Sequence, residues 1–153
     1  MIDMLITVFV QNEAGSNQKN YHNEKTLEYL STKPLSRPYP YPYGFIVGTT
    51  ASDGCNLDCF VITGQPLKTG QTMQCEVIGL MEQIEDGIED HNILVIPAGE
   101  SRRISPKIEA VLTEFVLNVF RHIESKRMKV GRFLGTAQAE AYIASHRDPK
   151  ARA

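Results

Sequence analysis

Three things are scarce in this chain: cysteine, charge of one sign, and any apolar run long enough to cross a bilayer. The cysteines are Cys55, Cys59 and Cys75. So odd and sparse a set is poor material for a disulfide framework, and the C-x3-C spacing of the first two is not one of the usual zinc patterns. A reduced, cytoplasmic setting is the expectation. The formal charge of -2 supplies no bulk attraction to nucleic acid or to an anionic membrane, so any cation or polyanion site must come from local clustering. No stretch approaches the ~20 apolar residues that span a membrane. The start, MIDMLITVFVQ, has a short apolar stretch without a basic region ahead of it and carries an acid at Asp3, unlike a secretion signal. Internal repeats and low-complexity segments are missing too. What is present is 153 residues with 42% hydrophobic content, enough for one packed core and short for two. A single domain over 1–153 is expected.

The first ten residues are strand-like, with Leu5, Ile6, Val8, Phe9 and Val10. QNEAGSNQKNYHNEK follows and reads as a polar loop, because Asn and Ser bond their own backbone and Gly accepts positive φ. Pro34, Pro38, Pro40 and Pro42 then forbid a central strand or helix interior, each lacking an N–H. That segment predicts an extended arm laying tyrosines against a surface. Segments 43–49, 58–63, 71–81 and 92–97 are short, apolar and separated by Gly, Pro or acidic turns, the rhythm of a barrel or sandwich. After Glu100, Ile108, Val111, Leu112, Phe115, Val119 and Ile123 recur at three and four, so one helix face is apolar. Ser105 and Pro106 supply its N-cap and first-turn proline. The basic stretch SKRMKVGRF reads as a solvated edge rather than a nucleic-acid patch, since only Phe133 offers a ring. Residues 136–145 make a weaker, alanine-rich helix. Strands first and helices massed last predict an α+β fold, a barrel with helices packed outside it.

Candidate chemistry gathers at strand ends. Asp53 and Asp58 flank the mouth of the strand DCFVIT, and Glu85, Asp86, Glu89 and Asp90 precede NILVIP. Converging carboxylates repel one another unless a cation sits between them, and oxygen ligands suit Mg2+ before Zn2+. Taken alone, the second run is an ordinary solvated turn. Lys19 in the loop GSNQK is a point charge for phosphate, and the phenols of Tyr39 and Tyr43 can donate to a phosphoryl oxygen. Acids for a metal with a lysine and phenols for an anion describe metal-assisted phosphoryl transfer to water.

The motifs GSxxK, YPxxYGFI, DGxxLDxxVxT, a strand carrying V-I-G-L-M-E, and ED-x-x-ILxxP come in that order over residues 9 to 97. This succession resembles the soluble family I inorganic pyrophosphatases. The resemblance implies an OB-like five-stranded β-barrel with flanking C-terminal helices, pyrophosphate as the ligand, several Mg2+ ions (with Mn2+ or Zn2+ as variants), and a homohexamer. It implies Asp53, Asp58 and Asp90 as ligands of one metal, Glu85 and Asp86 as further metal acids, and Lys19, Tyr39 and Tyr43 as phosphate-binding.

The sequence also departs from that pattern. Cys55 stands where the family has the aspartate that activates the nucleophile, and Gln11 where it has a metal-associated glutamate. Tyr21 takes another glutamate's place, and Ser31 that of a phosphate-binding arginine, with Lys33 or Arg37 as substitutes. Asn92 replaces a lysine, and a tyrosine-lysine phosphate clamp falls at Ile123 and Glu124. Fewer carboxylates weaken multi-metal occupancy, and fewer cations weaken the hold on an anionic leaving group. Two expectations result: a hydrolase of weakened activity, or a non-catalytic paralogue that binds metal or phosphate or serves as an assembly subunit. A zinc site from Cys55, Cys59 and His91 is disfavoured, because strand alternation sends Asp58 and Cys59 to opposite faces.

Overall fold

A computed structural model describes residues 4–51 and 53–149. The chain runs β1 (Leu5–Asn12), β2 (Gln18–His22), β3 (Tyr29–Pro34), β4 (Tyr43–Ile46), β5 (Asp58–Val61), β6 (Thr72–Glu85), β7 (Ile88–Glu89), β8 (Asn92–Pro97), α1 (Pro106–Asn118), β9 (Met128–Leu134) and α2 (Thr136–Ser145). Five strands close in the order β1-β4-β5-β8-β6, with β6 returning to β1. This is the expected five-stranded barrel with two C-terminal helices. Closure abolishes the free edges that an open sheet would expose. The 14-residue β6 makes it possible by shifting register between Val77 and Gly79, so that one end pairs β1 and β8 and the other pairs β9.

Alternation along β5 and β8 feeds two cores. Cys59, Val61, Ile93 and Val95 pack with Val8, Val77 and the α2 residues Ala139 and Ile143. Phe60, Ile62, Leu94 and Ile96 face Ile108, Leu112, Phe115 and Val116 of α1. Gly44 is required where β4 crosses β1, since a Cβ there would overlap the Phe9 carbonyl oxygen.

Three elements differ from the sequence expectation. The polar stretch after β1 is not loop throughout: β2 and β3 form a separate two-stranded sheet. Asn20 bonds to β1, its Nδ2 donating to the Gln11 carbonyl at 2.9 Å and its N donating to Asn12 Oδ1 at 2.7 Å, while Asn23 caps the hairpin's own turn by accepting from Lys25 N and Thr26 N. SKRMKVGRF contributes β9, an edge strand whose Arg132 grips Glu82 with two 2.9 Å bonds. Helix α1 begins as expected, with Ser105 Oγ accepting from Ile108 N at 3.2 Å, but stops at Asn118 rather than continuing to Ile123. Ser36 from the proline arm takes over the next groups: its N–H donates to the Val119 carbonyl, and its Oγ accepts from His122 N.

Candidate functional site

Strands β5 and β8 run parallel and begin side by side, Asp58 opposite Asn92. Asp90 lies two residues before Asn92, on the same side of the chain. These starts lie past the C-terminal end of α1 and form the floor of a cleft of ≈ 390 Å³, counting the part open to solvent. Burial, and then the Asp90 charge, push the Asp58 carboxyl well above the usual carboxylate range, with Lys19 opposing. Asp90 is raised by burial and then by Glu85 and Asp53. The Tyr43 hydroxyl bonds to Asp58. Behind them Gln83 Nε2 donates to Asp90 Oδ2 at 3.4 Å, and Asn92 Nδ2 donates to Gln83 Oε1 at 2.6 Å. Asn92 Oδ1 is buried with no partner. Two mutually repelling carboxylates beside an orphaned amide oxygen are a hard-donor set that suits Mg2+. Among the described residues, however, no three acids, imidazoles or thiols converge closely enough to hold an ion by themselves.

The wall facing this floor is cationic and aromatic. Lys19 on β2 sits over the Tyr21 ring at 5.3 Å and the Phe120 ring at 5.2 Å. Lys33 on β3 is directly opposite Lys19 and lies over the same tyrosine at 5.4 Å. Like charges facing each other across a hairpin repel, and neither lysine makes an ion pair among the described residues. Lys126 covers the other side of Phe120 at 5.3 Å and bonds Glu85 at 2.8 Å. Tyr39 and Tyr43 stack at 5.3 Å, and the Tyr39 hydroxyl accepts from Asn12 Nδ2. They are held there because the arm bonds to the glycine-serine loop, Gly15 N to the Tyr39 carbonyl and Tyr39 N to the Ser16 carbonyl.

Lys19, Tyr39, Tyr43, Asp58, Glu85 and Asp90 therefore meet around one cleft. Asp53, Cys55 and Asp86 do not line it. Asp53 is exposed and turns its Oδ1 to the Cys55 N–H at 2.9 Å. The Cys55 thiol is exposed at the rim and pushed up to about 11, by partial burial and then by Glu24, Asp53, Asp58 and Asp90. Asp86 occupies a turn at φ 52 and accepts from Arg127 N in a neighbouring groove. Cys59 is sealed in the core away from Cys55 and His91, so those three do not form a cluster. Arg37 is paired with Glu114, leaving Lys33 as the free cation beside Lys19. Ile123 and Glu124 stay outside the cleft; Phe120 lines it instead. Sequence reading also missed Gln83, Lys126 and Glu24. The Glu24 carboxylate accepts from Asn56 N at 2.7 Å and is raised chiefly by burial. Spacing carries no signal for it, since only the hairpin fold brings position 24 to the DGCNLD turn.

The family model described as inorganic pyrophosphatase matches residues 8–148. A relative named inorganic pyrophosphatase from Synechocystis sp. is 32% identical over 146 residues, covering 91% of this chain and 86% of the relative. One of the same name from Nanoarchaeum equitans is 30% identical over 150 residues, covering 92% and 94%. The crystal structure of an inorganic pyrophosphatase from Neisseria gonorrhoeae superposes with a TM-score of 0.86 at 26% identity, over 93% of this chain and 88% of that one.

Proposed function

The chain belongs to the inorganic pyrophosphatase family, and from that premise we propose that it hydrolyses pyrophosphate in a Mg2+-dependent reaction with weakened turnover. The observation that carries this reading is the pair Asp58 and Asp90, half-buried together on the cleft floor opposite Lys19. Asp58 and Asp90 hold a divalent cation, and Asp53 acts on Asp90 electrostatically from outside the cleft. Glu85 and Asp86 stand as outer acids, joined through Lys126. The cation, when bound, supplies Lewis-acid polarisation of a phosphoryl oxygen. Lys19 and Lys33 receive the phosphate charge, and Tyr43 orients Asp58 through its hydroxyl while Tyr39 braces Tyr43. Turnover is weakened because Cys55, with its thiol at about 11, keeps its proton at neutral pH where a general base must give it up. The test is phosphate release from pyrophosphate with Mg2+, Mn2+, Co2+ or Zn2+ in turn; no turnover above an Asp58→Ala control with any of them would falsify it.

The same Cys55 proton favours a second reading, a paralogue that binds pyrophosphate without cutting it. Calorimetry separates the two: binding with no phosphate released supports the paralogue. A cytoplasmic homohexamer belongs with either reading, and light scattering of the purified chain checks the assembly.

A further inference from the structure

The roles above leave Asn92 unused, though it lies on the cleft floor. Its side chain is 1% exposed, and Oδ1 has no hydrogen-bond partner. Among the described residues only His22 Nδ1 shares that condition, and His22 lies against aromatic rings, Phe9 at 4.9 Å and Tyr29 at 5.7 Å. Asn92 is surrounded by acids instead. Its orientation is also dictated. Gln83 Nε2 donates to Asp90 Oδ2 at 3.4 Å, and Gln83 Oε1 accepts from Asn92 Nδ2 at 2.6 Å. Asn92 then has only a carbonyl oxygen left to offer. That oxygen belongs to the residue beside Asp58 across the parallel pair, so those two side chains leave the sheet on one face, and Asp90 lines the same cleft. Leaving a buried amide oxygen unpartnered costs free energy that nothing in the described residues returns. A hard cation removes that cost, because neutral amide oxygens are ordinary ligands for such ions.

We propose that Asn92 Oδ1 is a ligand, together with the Asp58 and Asp90 carboxylates, of one hard divalent cation, and that Gln83 is the positioning residue that aims it. This rests on the reading that the two carboxylates hold a cation. It adds a neutral third ligand to a site in which two acids alone are too few. A lysine at this position would contribute charge toward the anion, whereas the amide contributes to the cation, so its effect is read on cation binding in the absence of phosphate.

The experiment is Mn2+ binding to the full-length chain without phosphate, read by calorimetry and by the electron paramagnetic resonance signal of free Mn2+. The variants are Asn92→Leu, Asn92→Asp, Gln83→Leu and Asp58→Ala. Wild type binds one ion tightly and Asp58→Ala loses it. Asn92→Leu and Gln83→Leu each weaken binding by roughly 10- to 100-fold, the effect of removing a ligand or the group that orients it. Asn92→Asp keeps an oxygen at that point and binds at least as well as wild type. If Asp58→Ala loses the ion while Asn92→Leu binds as wild type does, the inference is overturned and the carboxylate site stands. Equal losses in Asn92→Leu and Asn92→Asp mean that the residue acts through packing, which also overturns it. No binding by wild type, or unchanged binding by Asp58→Ala, overturns the site reading as well.

Discussion

A thiol and a carboxyl at position 55 differ in when they release a proton, and that difference bears on activity more than shape does. Partial burial, and then the charges of Glu24, Asp53, Asp58 and Asp90, hold the proton on Cys55. An aspartate in its place starts from a far lower ordinary value than a thiol, so the same surroundings leave it the readier proton acceptor. Cys55→Asp is therefore expected to raise phosphate release by about 10²-fold, the lower end of what a positioned general base supplies, measured as initial rate at saturating Mg2+. If Cys55→Asp with Gln11→Glu brings no gain, the cationic wall of Lys19, Lys33 and Lys126 is the limiting defect. At this scale Asp58 and Asp90 were legible because each sits at a strand start flanked by a recognisable motif. Glu24, Phe120 and Lys126 were not, because each reaches the site from a turn or a helix end far along the chain.

Element by element, local chemistry set beginnings better than ends. Ser105 and Pro106 cap α1 with groups contained in the sequence itself, and the Ser105 Oγ bond to Ile108 N is in place. Ser105→Ala should destabilise the protein by about 1 kcal/mol, the usual worth of such a cap; a midpoint in urea unchanged from wild type would contradict this. The helix end depends on Ser36, some eighty positions earlier, and no periodicity could have shown it. The β2–β3 hairpin was hidden for a related reason. Asn20 looks like a turn former until β1 arrives to bond with it, and the hairpin's inner face is only half buried, which blurs alternation.

The molecule as a whole concentrates unlike demands in one place. Asp58 is raised well above its ordinary value in the folded protein, and Asp90 and Glu24 are raised above theirs, each chiefly by burial. Between the ordinary and the raised values the folded state binds more protons, so stability falls as pH rises through that window. With chelator present, thermal denaturation is expected to show a higher midpoint at mildly acidic pH than at neutral pH, and Mg2+ should flatten that slope by neutralising the pair. A midpoint that rises steadily toward neutral pH in chelator would contradict this. The amino-acid order alone determined the run of short strands, both C-terminal helices and the proline arm, because apolar alternation, helical spacing and turn residues act through near neighbours, and its ordered motifs carried the resemblance to the family. Only the closed fold decided which groups meet. It set Asp58 beside Asn92, turned Asp86 and Asp53 aside, placed Lys33 next to Lys19, and brought Phe120 to the cleft. Burial and electrostatic coupling depend on distance through space, and the order of residues along the chain does not carry that distance.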